Sequence, residues 1–463
     1  MRTKHAAGPR RLPLAIIATS LGFVLVQLDV SIVNLGLARI GAGLGIGMAG
    51  LEWIVDAYTL AFASLMLSAG ALGDRIGARR GFILGFCLFI AASLGCGIAP
   101  DAAALIALRA IQGMGAAGLV PCSLALLNHA CRGDRRVRAH AVGLWTAAGS
   151  VAMAVGPVLG GLMIERIGWR SIFLVNVPIG LVGICITLCS VKETDPGTGA
   201  LDPLGQAFGV IALAAITAAV IEGGTSGWAE SPAVFLAVAA FVAGAAFLLV
   251  EAHVERPMLP LEFFRLPNFS PATLVGFVVN LTLYGAIFAF NLFLQRLAGY
   301  SPGGSGLAFL PFPVALLAAN LFAGPLVARF GPRLPMAAGL AVAGAGFALL
   351  SAVSASTPWL AMLPGLIVLP LGIGTAVPAM TTALLSAVPP PRSGVASGVL
   401  NTVRQSGGAI GVALFGSFLA RNGTSGMHFA FLLALVLLGA ASLLALLAVG
   451  APHTNAAYAG TRR

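Results

Sequence analysis

Three ionisable side chains sit inside apolar runs of the sequence: Asp29, Arg109 and Asp56. A charged group placed in hydrocarbon is costly, so each is a functional candidate by default. Counted inward from the ends of the runs 12–36, 102–126 and 50–71, all three share one level, roughly 10 Å deep at ~1.5 Å per residue. Burial favours the neutral form of a carboxyl, and a neighbouring guanidinium favours the charged form. An arginine that approaches and leaves an acid at equal depth would therefore switch that acid's hold on a proton. The plainer alternative is a static ion pair that only holds helices together. Asp56 lies nearer a water-filled vestibule, and Glu52 is expected to reach it.

Other residue patterns suggest movement and recognition. Gly156, Pro157, Gly160 and Gly161 lie in AVGPVLGGLM (154–163). Proline removes a backbone donor and bends a helix, and closely spaced glycines let a neighbouring helix approach. The pattern suits a hinge that also seals, with ordinary packing as the alternative. Gly70, Asp74, Arg75, Gly77, Arg79 and Arg80 mark a short polar turn. There Asp74 can cap a helix N-terminus or pair with an arginine elsewhere. In the second half, Asn280, Tyr284, Asn291, Arg404 and Gln405 are polar groups within apolar sequence, with Phe288, Phe290 and Phe293 as aromatic surface. Any single amide could instead form a helix–helix hydrogen bond, worth about 0.6 kcal/mol. A lone intramembrane arginine such as Arg404 needs a stronger reason.

The elements that carry these residues follow from composition. Of 463 residues, 59% are hydrophobic and 9% charged, with a mean hydropathy of +0.99. Soluble domains carry about 25% charge, and disorder needs low hydrophobicity. Both are excluded. About 20 apolar residues cross a bilayer. The sequence predicts fourteen spans, at 12–36, 50–71, 81–99, 102–126, 140–163, 171–191, 204–223, 231–251, 268–293, 303–328, 334–353, 358–380, 395–419 and 427–449. The first is not a signal peptide, because it carries Asp29 and Asn34 and thirteen spans follow.

The net charge of +11 does not point to nucleic acid, because the basic residues lie in short clusters between spans. With the N-terminus inside, only Arg39, Arg166, Arg170, Arg296 and Arg421 fall in outer segments, while Arg109 and Arg404 lie within spans. The rest are cytoplasmic, as the positive-inside rule requires. The expectation is a multi-pass protein of the cell membrane with both termini in the cytoplasm. No loop can hold a nucleotide-binding domain, and no Gly-Lys-Ser/Thr follows the glycines at 41–47. The six cysteines show neither zinc nor disulfide spacing. No metal or cofactor is expected.

GALGDRIGARR (70–80) and GPLVARFGPRL (324–334) form a weak internal repeat at the ends of the second and tenth spans. Two related six-helix halves with two inserted helices explain the spacing. The fold expected is therefore an all-α polytopic membrane protein with fourteen transmembrane helices: two pseudo-symmetric six-helix bundles, 1–191 and 268–463, plus two central linker helices in 192–267. Duplicated halves around a midplane site are the architecture of alternating-access transporters.

The chain here resembles the major facilitator superfamily, and within it the fourteen-helix drug:proton antiporters. GALGDRIGARR matches the signature between the second and third helices, LIALRAIQGMGAA (105–117) the fourth-helix motif, and AVGPVLGGLM the fifth-helix motif of antiporters. LDVSIVNLGL (28–37) and WRSIFLVNVPIG (169–180) match signatures of the fourteen-helix group. IEGGTSGW (221–228) and VLNTVRQSGGAIG (399–411) look most like the antibiotic-exporter branch that contains the methylenomycin A resistance protein.

The resemblance implies proton coupling at Asp29 and Arg109, with Asp56 as a further candidate. It implies gating by the 70–80 turn, hinge and seal by the fifth-helix glycines and proline, and export of a small-molecule substrate against protons across the lipid bilayer. Asn34, in the first-helix signature, joins the substrate-binding candidates. Exporters of dications in this family carry extra membrane acids in the second half, whereas no Asp or Glu follows Glu262 here. A neutral or weakly anionic antibiotic-like compound is expected instead. Import of a small organic solute is the alternative within transport. A membrane-embedded enzyme would need an acid–histidine or metal constellation, and none is legible, so no enzymatic activity is expected. The protein is expected to act as a monomer.

Overall fold

Backbone N–H and C=O groups in hydrocarbon must be satisfied within their own segment, which leaves helices as the available spanning element here. The computed structural model describes residues 11–131, 135–194, 202–254, 257, 259–388 and 392–450. The first half contains α1 (Arg11–Leu44), α2 (Met48–Ile76), α3 (Ala78–Ile98), α4 (Ala102–Ala130), α5 (Arg135–Arg166), the single turn α6 (Ser171–Leu174) and α7 (Asn176–Ser190). Two further helices follow, α8 (Pro203–Thr225) and α9 (Ser231–His253). The second half contains α10 (Phe269–Leu292), α11 (Pro302–Phe309), α12 (Pro311–Phe330), α13 (Arg333–Leu350), α14 (Trp359–Ser386) and α15 (Ser393–Ala448).

Among the described residues, thirteen helices are long and apolar enough to cross a membrane. The sequence separates 395–419 from 427–449, whereas one helix runs through both. At ~1.5 Å per residue a straight α15 would be roughly 84 Å long, far beyond one ~30 Å hydrocarbon layer. It is not straight: Gly423, between the two expected spans, has φ 54° and ψ −127°. Two other expected spans are interrupted. The helix expected at 303–328 breaks at Leu310, where Pro311 begins α12, and 171–191 breaks at Val175. The first helix runs on to Leu44 instead of ending near 36.

Packing in the two halves follows one scheme. Helix α1 lies on α5, α2 on α4, and α3 on α4; correspondingly α10 lies on α15, α12 on α14, and α13 on α14. Helix α8 touches both α2 and α15, while α9 packs on α8. The outer wall of α9 is apolar and exposed, with Phe235 and Phe241 more than two-thirds accessible, as a lipid-facing surface demands.

Glycine sets the close approaches. A Cβ at Gly115 of α4 would lie 2.7 Å from the Phe89 backbone nitrogen of α3. Gly115→Leu is therefore expected to destabilise the bundle by about 1–3 kcal/mol through overpacking. Gly244→Leu on α9, where a Cβ meets nothing within 4 Å, should leave the melting temperature of the detergent-purified protein unchanged. Equal melting shifts for the two variants would contradict this packing.

Candidate functional site

Asp29 and Arg109 meet directly. Arg109 Nη1 lies 2.6 Å from Asp29 Oδ2, and the two residues are 1% and 0% exposed. The shared depth inferred from helix counting is thus realised as an ion pair between α1 and α4. The pair is enclosed by polar groups from other helices. Gln112, one turn beyond Arg109, accepts from Arg109 Nη1 at 2.7 Å and donates to Asp29 Oδ1 at 2.9 Å. Asn176 of α7 also donates to Asp29 Oδ1, at 2.9 Å. Ser93 of α3 accepts from both amides and donates to the Phe173 carbonyl. Arg109 Nε donates to the Ile54 carbonyl of α2 at 3.1 Å, and its guanidinium carbon stands 4.2 Å from the centre of the Tyr58 ring. Four helices besides α1 therefore hold one charge pair, and both carboxylate oxygens are bonded.

Asp56 is not part of this cluster. It shares a face of α2 with Glu52, one turn away, so the two carboxyls are neighbours along the helix. The sequence places Glu52 in a water-filled vestibule with Asp56 near it, but the structure buries both: Glu52 is 1% exposed and Asp56 0%. Helix α15 covers Glu52, because a Cβ on Gly416 would meet its carboxylate. None of the four carboxylate oxygens has a hydrogen-bond partner among the described residues.

The fifth-helix glycines serve two neighbours. Gly156 and Gly160 face Ser31 and Ile32 of α1, while Gly161 lies against the Gly303 backbone of α11. The Pro157 carbonyl abuts Gly306, also on α11. Nearby, Glu165 Oε1 accepts from the Gly303 N–H at 2.9 Å, and Gln295 Nε2 donates to the Leu35 carbonyl at 2.8 Å. Together these contacts join the halves at the end that the charge bias assigns to the outside. Beneath them Asn34 and Asn291 face one slot with Ser31, Pro157 and Phe309. Its volume is about 10 Å³, too small for more than a single water. Each asparagine donates to a carbonyl of its own helix, and neither Oδ1 has a partner among the described residues. Above the seal, a cavity of about 520 Å³ lies beside Arg39, Arg296, Tyr300 and Pro302.

The other second-half candidates form a separate group. Arg404 Nε donates to Asn280 Oδ1 at 3.1 Å, Asn280 Nδ2 donates to Gln405 Oε1 at 3.4 Å, and Tyr284 packs on Gly408, one turn along α15 from Arg404. Asn280 and Asn291 are therefore in different places, three turns apart on α10.

In the 70–80 turn, Gly73 packs on Cys122, and Gly77 has φ 98°, a conformation that favours glycine. Asp74 and Arg75 are exposed, and Asp74 makes no hydrogen bond or ion pair with a described residue. The cap of α3 comes from Glu193 instead, which accepts from the Arg79 N–H at 2.9 Å and lies 3.6 Å from Arg80 Nε; Thr194 accepts from the Ala78 N–H. Gly70 borders Pro121 of α4.

Comparison with known proteins agrees with this arrangement. The sequence profile of the Major Facilitator Superfamily matches residues 19–412 and again 272–462. The chain belongs to the Major Facilitator Superfamily. Its relatives include the methylenomycin A resistance protein of Streptomyces coelicolor, 39% identical over 416 residues, which are 89% of this chain and 87% of that one. The methylenomycin A resistance protein of Bacillus subtilis is 37% identical over 439 residues, 94% of this chain and 93% of that one. The multidrug resistance protein Stp of Mycobacterium tuberculosis is 37% identical over 408 residues, 88% of this chain and 76% of that one. This superfamily member is a multi-pass membrane transporter for small molecules, not an enzyme.

Several residues of the transporter's site escaped the sequence reading. Gln112 and Asn176 had a signal, since both lie in quoted family motifs and Gln112 sits three residues after Arg109. Ser93, Tyr58, Glu165 and Glu193 had none, because short or peripheral polar residues are common at helix contacts. Removing Arg109 would strand Asp29 in the bundle, and breaking a buried pair costs about 3–5 kcal/mol. Arg109→Ala is thus expected to lower the melting temperature more than Asp29→Asn, which keeps an acceptor and a donor in place. The reverse order in a detergent melting assay would contradict the pair's structural weight.

Proposed function

We propose that the chain is a proton-coupled exporter of small, neutral or weakly anionic antibiotic-like compounds, working by alternating access in the cell membrane as a monomer with both termini in the cytoplasm. The observation that carries the reading is the enclosed Asp29–Arg109 pair. A carboxylate in hydrocarbon keeps its charge only while a cation and hydrogen-bond donors compensate it. Tilting of one bundle that draws Arg109 from Asp29 leaves the acid to bind a proton, and re-forming the pair expels it. Asp56 and Glu52 supply a second carboxyl position where α2 meets α15. The division into bundles 1–191 and 268–463, with 192–267 between them, is supported by the recurring helix pairings and by the way α8 touches both halves.

Export is favoured by the relatives. Proteins 34–39% identical are named for methylenomycin A resistance, multidrug resistance and cephamycin export. The hinge role of Gly156, Pro157, Gly160 and Gly161 is supported by their place between α1 and α11. The slot beside Asn34 and Asn291 would widen as that seal opens, and release substrate outward. The gating role of Asp74 is supported by its exposed carboxyl, which makes no hydrogen bond or ion pair with a described residue and is available for a partner once the inner ends close.

Inverted membrane vesicles with an imposed inward-acid pH gradient test the reading. Wild type should accumulate its substrate, and collapse of the gradient should abolish accumulation. Asp29→Asn should still exchange substrate downhill but reduce accumulation about tenfold or more. Accumulation by Asp29→Asn equal to wild type would remove Asp29 from the coupling. Gly161→Leu, which pushes α5 off Gly303, should prevent outer closure and make the vesicles leak substrate. Tight vesicles with normal transport would show that this contact is not the seal.

A further inference from the structure

Two asparagines, on the first helix of each half, are held alike. Asn34 of α1 donates Nδ2 to the Val30 carbonyl at 2.8 Å, and Asn291 of α10 donates Nδ2 to the Ile287 carbonyl at 2.9 Å. Only the nitrogen of an amide can bond to a carbonyl, so the oxygen is the free end of each side chain. Both residues are 3% exposed, and neither Oδ1 has a hydrogen-bond partner among the described residues. Each amide bonds to its own helix, so neither makes the helix–helix bond that would give it a packing role. A buried oxygen left without a donor is costly. Here two such side chains, one from each half, line a single slot.

The polar part of this slot consists of acceptors. Ser31, its third polar residue, spends its hydroxyl hydrogen on the Leu28 carbonyl at 3.0 Å. The rest of the wall is apolar, from Met153 and Pro157 of α5 to Phe309 and Pro313 of the second half, and no charged side chain lines it among the described residues. At about 10 Å³ the closed slot has room for one water. Its walls belong to both halves, so their separation widens it, and an arriving compound takes over the role of donor. A group with paired N–H or O–H bonds fills that role. A carboxylate would meet oxygens without a donor, and an ammonium group would arrive without a counter-charge.

We propose that Asn34 and Asn291 form a two-sided acceptor site, and that the exported compounds enter it with an uncharged group bearing hydrogen-bond donors, such as a primary amide or paired hydroxyls. The inference rests on the export reading above and narrows its substrate class to donor-bearing compounds. A donor group that bridges the two oxygens ties α1 to α10 beneath the outer seal. An analogue without donors leaves both oxygens unpaired, and a site built on hydrogen bonds rejects it for that reason.

The test compares a methoxycoumarin acetamide with its N,N-dimethyl amide, by fluorescence binding to the full-length protein in lipid nanodiscs. The first probe carries two N–H donors and the second none. Wild type should bind the primary amide about tenfold or more tightly. Asn34→Leu and Asn291→Leu should each reduce that preference severalfold, and the double variant should bring the probes within about twofold of each other. Each leucine variant should melt no lower than wild type, because it removes an unpaired buried oxygen. Equal binding of the two probes by wild type, an unchanged preference in the double variant, or no binding of the primary amide would each overturn the site. Leucine variants that melt lower and weaken both probes alike would do the same, since they mark the asparagines as packing groups. The two readings separate in inverted vesicles. Equal accumulation of both amides under a pH gradient sinks the acceptor site and leaves proton-driven export standing. A tenfold preference in nanodiscs with no accumulation of either amide sinks export and leaves the site.

Discussion

A guanidinium and a carboxylate shut away from water dominate the first half of this protein. Neither charge is tolerable alone in hydrocarbon. Together they require helices α1 and α4 to approach, and the remaining donors and acceptors require α2, α3 and α7 to close around them. Gln112 and Asn176 saturate Asp29, and Ser93 joins the two amides. The pair is therefore more than a strut. Every helix that touches it is coupled to its charge state, and a change in that state can be felt across the bundle.

The second half is organised around the opposite condition. It has no acid of its own after Glu262, and its membrane arginine is held by Asn280 at Nε. Tyr284 packs on Gly408, one turn along α15 from that arginine. In the proposed cycle the saturated ion pair holds the proton, and the slot beside Asn34 and Asn291 passes the substrate. Backbone-to-backbone contact of α5 with α11 closes the outer end above them. Glycine makes that contact possible, because a side chain at Gly161 or Gly306 would strike the opposing main chain.

Much of this was legible beforehand, for identifiable reasons. Hydropathy located the spans because the bilayer admits only long apolar helices here. Asp29 and Arg109 stood out because charge within such a run is rare and costly, and helix rise gave them a common depth. Asp56 shared that depth but not the contact. Depth along a helix is readable from residue counts, whereas the face it presents to particular neighbours depends on how those helices are turned. For the same reason Glu52, placed by its position near a helix end in a vestibule, is covered by Gly416 of a helix some 360 residues later in the chain.

By itself the sequence determined the membrane class, the nearly complete set of spans, the family and the short inventory of charges that hydrocarbon must accommodate. These are properties of local composition and of motifs a few residues long. Only the tertiary structure decided which polar groups are satisfied and which are left over. It paired Asp29 with Arg109, passed the cap of α3 from Asp74 to Glu193, and separated Asn291 from Asn280 on one helix. It also left the carboxyls of Glu52 and Asp56 without hydrogen-bond partners among the described residues. Satisfaction of a buried polar group depends on partners brought in from distant helices, and that information appears only when the bundles close.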